Sequence, residues 1–158
     1  MNGGGRIVGE GCHFIDTLTF LNGSIVVSVF ANVMKHPEKF NDTININLTF
    51  ENGSIGSICY FSNGDKSLPK ERIEIFSNGA SAIIEDFKSM IIYSKGKKVK
   101  TKLMSQDKGQ KEEVYRFINT VKKGIHNDHL IPLKEIYNTS LATFRINESI
   151  QTGLPREL

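Results

Sequence analysis

The chain has 158 residues, of which 39% are hydrophobic and 23% are charged, and its formal net charge is +3. This much apolar material can form a folded core, so the composition excludes an intrinsically disordered chain. The two cysteines exclude a disulfide framework, and no apolar run reaches the roughly 18 residues of a membrane-spanning helix. We therefore expect a cytoplasmic protein with reduced thiols and no membrane partner.

Much of the positive charge lies in one segment, where seven lysines occur from Lys95 to Lys111. The segment lacks the arginines and aromatic residues that usually accompany lysines in nucleic-acid-binding surfaces. Lys98, Lys100 and Lys102 also alternate along one predicted strand, where lysine protects an exposed sheet edge from pairing. The pattern favours a solvated edge and no nucleic-acid partner.

The first predicted element is a helix over residues 7–21. Its apolar residues recur at steps of three and four and form one stripe. The stripe consists of Ile7, Phe14, Ile15, Leu18 and Leu21. Asn22-Gly23 ends the helix, because glycine readily takes the left-handed conformation found at helix C-termini.

The hydrophobic period then changes to two, first from Ile25 to Val33 and again in the segment TININLTF. In the latter, apolar residues from Ile44 to Phe50 alternate with Thr and Asn, which predicts an antiparallel sheet with one packed and one polar face. Asn52-Gly53 predicts a hairpin turn to a partner strand, IGSICYF. Further strands follow up to residue 103, with turns at Asn78-Gly79 and Lys95-Gly96.

Two predicted helices complete the chain. The 3.6-residue period returns from Val114 to Val121, and Pro132 begins a second helix that Gly153 ends. The order of helix, six or seven strands and two helices predicts an α+β fold. We expect an open, mainly antiparallel sheet with helices packed on one face. No linker or repeat interrupts the pattern, so residues 1–158 are expected to form a single domain.

His13 is the residue best suited to proton transfer. On a helix, Glu10 and Asp16 lie three residues on either side of it, so the three side chains share one face. Imidazole titrates near neutral pH, and a neighbouring carboxylate fixes its tautomer. A surface histidine flanked by two acids gives the same pattern, so the spacing by itself leaves a structural role open.

Three other motifs are weaker. The N-terminal glycines lack the spacing of a phosphate-binding loop. Cys12 and His13 are adjacent on a helix and point about 100° apart, so they form no nucleophile–base pair. His126 and His129 have no third ligand of suitable spacing nearby, so we predict no metal site.

The segment over residues 60–76 carries more charge than a turn between two strands requires. It is either a binding loop held by the scaffold or a long solvated hairpin. It carries the charged residues Asp65, Lys66, Lys70, Glu71 and Arg72.

The segment GGGRIVGEGCHFID resembles the pattern GG-x-x-x-D-x-G-x-H-x-x-D of the Gfo/Idh/MocA oxidoreductases. Gly11, His13 and Asp16 fall in register, whereas the first Asp of the pattern corresponds to Gly9 and Glu10 lies one place later. The order of elements agrees with the family over residues 3–153. The sequence looks most like the branch found in bidomain oxidoreductases, where such a unit is joined to an alcohol-dehydrogenase-like part.

The resemblance implies the C-terminal domain of an NAD(P)-dependent oxidoreductase acting on a sugar or nucleotide-sugar. In that family a separate Rossmann domain, which we do not find in this chain, binds NAD or NADP. The C-terminal domain supplies the catalytic histidine, shapes the sugar pocket and forms oligomers through its sheet. Carried to this sequence, the catalytic residues are His13 and Glu10, and the substrate-binding residues are Gly9, Gly11, Asp16, Lys66, Lys70 and Arg72.

The same resemblance gives the two glycines a role, because they let substrate and nicotinamide approach the helix without meeting a Cβ atom. We expect the isolated domain to be inactive without its Rossmann partner. The alternative is a non-catalytic interaction or dimerisation domain that uses its open sheet face. Such a domain needs no histidine at the helix start and tolerates the loss of His13.

Overall fold

The computed structural model describes residues 5–35, 43–123 and 130–158. They form two compact units, which are treated separately. The first consists of the residues up to Asn63 together with Ile131–Leu158, and the second is Gly64–Leu130. This division does not test whether the chain is a single domain without a Rossmann partner, which stays a prediction.

The described part of the chain has an α+β fold, which confirms the predicted class. Its helical segments are a π-helical turn (Ile7–Gly11), α1 (Cys12–Asn22), α2 (Gln110–Lys123) and α3 (Leu133–Thr152). Its strands are β1 (Val26–Val33), β2 (Thr43–Phe50), β3 (Ile55–Phe61), β4 (Arg72–Ser77), β5 (Ala80–Glu85), β6 (Ser89–Ser94), β7 (Lys97–Lys102) and β8 (Arg156–Glu157). All described pairings are antiparallel, and the strands are divided between two four-stranded sheets.

The sheet of the first unit has the strand order β3-β2-β1-β8. The predicted alternation of β2 is confirmed, because its four apolar residues are each about 1% exposed while Asn47 and Thr49 on the other face are exposed. Helix α3 packs on β1, and α1 packs on α3. Ile15 of α1 and Ile146 of α3 join β2 in the core. The helices therefore cover the apolar face of this sheet and leave the opposite face open.

A β-bulge in β1 interrupts the alternation that the sequence predicts from Ile25 onward. The pairing register with β2 shifts between Val26 and Ser28. As a result Val26 and Val29 are both buried although they lie three residues apart, and Val27 is only partly buried. A bulge adds one residue to a strand and so changes which side chains face the core.

Side chains of α3 complete the hydrogen bonding of β1, whose neighbour β8 pairs with only Ser28 and Val29. The Asn138 amide accepts a hydrogen bond from the Val26 N–H at 2.9 Å and donates one to the Val26 carbonyl at 2.8 Å. The Ser149 hydroxyl accepts one from the Ala31 N–H at 3.1 Å. These buried polar side chains satisfy backbone groups that would otherwise lie unpaired in the core.

The sheet of the second unit runs β4-β5-β6-β7, with each strand paired to the next. The predicted turns at Asn78-Gly79 and Lys95-Gly96 are confirmed, with positive φ at all four residues, as a primed two-residue turn requires. Strand β7 is exposed along its whole length and forms an edge, as its lysines predict. Helix α2 has exposed apolar side chains at Val114, Phe117, Ile118 and Val121, so its predicted stripe is not part of the core.

Candidate functional site

The helix predicted over residues 7–21 begins with a π-helical turn. The Cys12 N–H donates to the carbonyl of Ile7, five residues earlier. Helix α1 then continues to Asn22 and ends at Gly23, whose φ of 61° is left-handed as predicted. Turns of this kind are rare, and they are frequent at functional sites. The glycine-rich segment therefore continues directly into the helix that carries His13.

His13 is the second residue of α1, and its side chain is exposed. Its carbonyl accepts a hydrogen bond from the Thr17 hydroxyl at 2.7 Å, so the backbone at His13 belongs to a regular helical turn. The Asp16 carboxyl is half-buried, and burial raises its pKa, while the charge of His13 opposes that effect. The exposed imidazole is thus close enough for its charge to act on the Asp16 carboxyl, as their spacing predicts.

Glu10 has a different partner from the one that its spacing predicts. The Tyr60 hydroxyl, on β3, donates to Oε2 of Glu10 at 2.5 Å. Arg6 donates to the same hydroxyl at 3.1 Å, and its guanidinium lies 3.9 Å from Glu10. The π-helical turn places more residues in one turn than an α-helix does, so the simple three-residue rule does not hold across it. Glu10 is therefore bonded to the sheet.

Tyr60 is a site residue that the sequence analysis missed. It pairs with the core residue Ile44 across the sheet, so both side chains lie on the face that the helices cover. Its ring meets the edge of Phe14 at a centroid distance of 6.2 Å and an angle of 63°. Burial, and then the hydrogen bond to Glu10, raise the pKa of its phenol. No local pattern signals this role, because Tyr60 and Glu10 are 50 residues apart.

Gly9 and Gly11 have no structural need for glycine within the described residues. Gly9 is exposed, and a Cβ atom built on it meets no atom within 4 Å. At Gly11 a Cβ atom would lie 3.7 Å from Cγ2 of Ile7, which is an ordinary contact. Neither residue has a positive φ. Gly11 is buried, so a role for it in binding substrate stays a prediction. The absence of a side chain at the exposed Gly9 is explained better by something that approaches the backbone than by the fold of the domain itself.

The other predicted binding residues belong to the second unit. Lys66 and Lys70 are exposed. The Arg72 guanidinium lies 2.6 Å from Glu74 and 2.9 Å from Glu85, and these carboxylates, Glu74 first, raise its pKa. The two lysines are therefore better available to a ligand than Arg72 is. A substrate-binding role for any of the three stays a prediction.

The second unit also holds an open cavity of about 380 Å³ beside the turns at Asn78-Gly79 and Lys95-Gly96. It is lined by Tyr93, three lysines and small polar residues, and none of the predicted site residues borders it. Within the described ranges no group of three or more His, Cys, Asp or Glu side chains could hold a metal ion. His126 and His129 lie outside those ranges. No helix in the described part of the chain is long and apolar enough to cross a membrane.

Comparison with protein families decides how this site is to be interpreted. A family model described as the GFO/IDH/MocA C-terminal domain matches residues 1–83, which is more than half of the chain. The chain belongs to the Gfo/Idh/MocA C-terminal domain family. The resemblance inferred from GGGRIVGEGCHFID is thereby confirmed for the family, while the bidomain branch stays a prediction. No curated protein matches the sequence.

Solved structures share the fold of this Gfo/Idh/MocA domain at low sequence identity. An aldose–aldose oxidoreductase from Caulobacter crescentus is 15% identical, with a TM-score of 0.75 over 94% of this chain and 46% of its own. A UDP-N-acetylglucosamine 3-dehydrogenase from Acidithiobacillus ferrooxidans is 17% identical, with a TM-score of 0.71 and coverages of 89% and 45%.

A third structure, an Agrobacterium radiobacter oxidoreductase in complex with NAD⁺, L-tartaric acid and magnesium, is 14% identical. Its TM-score is 0.73, with coverages of 94% and 47%. The chain thus spans about half the length of these three structures. Identities this low show a shared fold, and the activity of the whole protein has to be argued from the site.

Proposed function

We propose that this chain is the substrate-binding and oligomerisation domain of an NAD(P)-dependent oxidoreductase acting on a hydroxyl of a sugar or nucleotide-sugar. The observation that carries the proposal is the exposed His13 at the start of a helix, with Asp16 close enough to feel its charge. The exposed Gly9 lies shortly before it, at a position where a Cβ atom would meet no atom of the domain. Two structures with this fold are named for reactions of sugars, and another was solved with NAD⁺.

In this proposal His13 exchanges a proton with the reacting hydroxyl of the substrate. An exposed imidazole is suited to this role, because it accepts and releases protons near neutral pH. Asp16 supplies a carboxyl close to the imidazole. The exposed Gly9 has no side chain, so a flat ring and a sugar can approach the backbone closely there. Glu10 acts less directly, because its carboxylate is bonded to Tyr60.

The cofactor in this proposal is NAD or NADP, held mainly by a Rossmann domain outside residues 1–158. The bare backbone at Gly9 fits the close approach of a nicotinamide ring. When bound, the nicotinamide supplies hydride transfer, and the protein positions and polarises the substrate. This chain then contributes the proton transfer and part of the pocket, and the isolated domain has no dehydrogenase activity. Titrating the isolated chain with NADH tests this, and turnover of any sugar would contradict it.

Lys66 and Lys70 are the proposed contacts for an anionic part of the substrate, such as the diphosphate of a nucleotide-sugar. Both are exposed, and a lysine ammonium group attracts anions. Arg72 is the weaker member of this group because two carboxylates already neutralise it. Lys66→Ala and Lys70→Ala are expected to raise KM for a nucleotide-sugar and to leave kcat nearly unchanged. A fall in kcat by the same factor as the rise in KM would contradict a binding role.

The open face of the first sheet is the proposed homo-oligomer interface. On this face polar residues of β2 and β3 are hydrogen-bonded to one another, as in the bond from Ser57 to Asn47 at 2.9 Å. Ile55 and Phe61 are 83% and 59% exposed at the two ends of β3. Paired strands of this kind can form a symmetric contact. Sedimentation is expected to show a dimer or larger assembly that Ile55→Lys weakens, and a monomeric wild type would contradict the proposal.

The compartment proposed for this enzyme is the cytoplasm. Cys12 and Cys59 are both free thiols, and Cys59 is exposed. Exposed free thiols persist in reducing compartments.

The alternative of a non-catalytic interaction domain is not favoured, because the family and the similar structures described above are oxidoreductases. The decisive experiment is His13→Asn in the full-length protein that carries this domain. Asparagine retains a polar side chain of similar size but cannot exchange a proton.

Turnover of the His13→Asn variant is expected to fall about 10²- to 10⁴-fold, the usual contribution of general acid–base catalysis. The temperature of unfolding and the affinity for NADH are expected to stay the same, because the exposed His13 side chain is not part of the core. Glu10→Gln is expected to have a smaller effect. Unchanged turnover, or unfolding of the variant, would assign His13 a structural role.

A further inference from the structure

Three side chains of the segment around His13 meet a single residue of the sheet. Arg6, Glu10 and Phe14 are spaced four residues apart, and each contacts Tyr60. The Tyr60 hydroxyl accepts a hydrogen bond from Arg6 and donates one to Glu10, and the contact with Phe14 is an edge contact of the ring. Tyr60 thus touches the chain on both sides of His13, three residues before it and one residue after it.

The segment from Arg6 to Phe14, which contacts Tyr60, contains the π-helical turn. Within it the Cys12 N–H is bonded to Ile7 rather than to Val8. Conversion to an ordinary α-helix would shift the register by one residue, which corresponds to a rotation of about 100° between the residues before and after the turn. Gly9 and Gly11 provide no side-chain contacts that oppose this shift. Tyr60 opposes it from outside, because its hydrogen bond to Glu10 fixes the turn relative to β3.

We propose that Tyr60 is a positioning residue, which acts through Glu10 and Phe14 to hold the π-helical turn and thereby the direction in which His13 meets its substrate. The proposal rests on the proton-transfer role proposed for His13. Glu10, which lies one place after the Asp of the family pattern, has a different role in this proposal. It accepts the hydrogen bond from the Tyr60 hydroxyl and so anchors the start of the helix. Catalytic groups must be held to within a fraction of an ångström, and a displacement of 1 Å is enough to cost about 10²-fold in rate.

Tyr60→Phe tests the proposal because it removes only the hydroxyl and retains the ring that meets Phe14. In the full-length enzyme we expect kcat to fall about tenfold, within the range that misplacement of a catalytic group produces, with little change in KM. Tyr137→Phe is the matched control. That tyrosine is 67% exposed on α3, and removal of its hydroxyl is expected to leave kcat unchanged.

The deciding measurement is Tyr60→Phe in the His13→Asn background. If Tyr60 acts by positioning His13, the double variant is no slower than His13→Asn alone. If Tyr60 only maintains the fold, its loss lowers turnover by the same factor in both backgrounds, and the proposal is overturned. It is also overturned if Tyr60→Phe equals the wild type while His13→Asn is slow, an outcome that leaves the proposed function intact. Unchanged turnover in His13→Asn overturns the proposed function itself.

A second measurement needs no activity. Phenolate absorbance of the protein during alkaline titration, with Tyr60→Phe as the difference sample, reports the ionisation of Tyr60. Burial and the Glu10 hydrogen bond raise the pKa of this phenol, so Glu10→Gln is expected to bring it closer to the ordinary value for tyrosine. Arg6 lowers the same pKa through its hydrogen bond and charge, so the comparison of Glu10→Gln with the wild type is the deciding one. If the pKa of Tyr60 is the same in both proteins, the hydrogen bond to Glu10 is not formed and the proposal is overturned.

Discussion

Gly9→Ala tests whether residue 9 is a glycine for a structural or for a functional reason. An alanine Cβ atom at this position meets no atom within 4 Å, and the backbone there is helical with a negative φ. The substitution therefore has no steric cost in the domain. Replacement of glycine by alanine at a compatible position stabilises a protein by about 0.4–1 kcal/mol, so we predict that the free energy of unfolding rises by that amount.

The same methyl group occupies the space through which substrate and nicotinamide are proposed to approach. In the full-length enzyme we therefore predict that Gly9→Ala lowers kcat/KM about tenfold or more, in line with the sensitivity of catalysis to small displacements. Urea unfolding followed by circular dichroism measures the stability, and NAD(P)H absorbance measures the turnover. Gain of stability together with loss of activity is the expected result.

Gly56→Ala is the matched control, because its Cβ atom would lie 3.0 Å from Cδ1 of Leu18 and 3.3 Å from Cε2 of Phe50. Leu18 and Phe50 have to shift by a few tenths of an ångström to accept this atom, so Gly56→Ala is expected to gain less stability than Gly9→Ala does. Full activity in Gly9→Ala would refute the proposal that substrate and nicotinamide approach the backbone closely at this position. A loss of stability in Gly9→Ala would refute the reasoning about free space.

Two further predictions concern the stability of the domain. Asn138→Ala is expected to lower the free energy of unfolding by about 2–4 kcal/mol, because it leaves the buried N–H and carbonyl of Val26 without partners. Asn147, whose amide donates to the carbonyl of Thr143 in the same helix, is the control, and Asn147→Ala is expected to cost less than about 1 kcal/mol. Equal losses in urea unfolding would contradict the role of Asn138. Burial raises the folded-state pKa of Asp16 above its ordinary value of 3.8. The stability that the protonated carboxyl contributes is therefore fully present below pH 3.8 and is lost as pH rises through the folded-state pKa. Asp16→Asn is therefore expected to gain stability relative to the wild type from pH 3 to neutral pH, and the opposite trend would mean that the attraction to His13 outweighs burial.

The sequence by itself determined the elements whose signals are local. The alternation from Ile44 to Phe50 predicts both the strand and its buried face, because side chains of a strand point alternately to its two sides. Asn78-Gly79 and Lys95-Gly96 predict primed turns, because the residues within four positions decide which φ values are tolerated. The motif around His13 predicts the family in the same way, since its residues are adjacent in the chain.

Only the tertiary structure decided the features that depend on distant contacts. The division of eight strands into two sheets and the bulge after Val26 follow from pairing between strands, which a one-dimensional period does not record. The partner of Glu10 depends on a tyrosine 50 residues away and on a π-helical turn that changes the helical register. Helical spacing predicted Glu10 beside His13 because it assumes a uniform turn. The packing of β3 against that turn is what directs the carboxylate to Tyr60 instead.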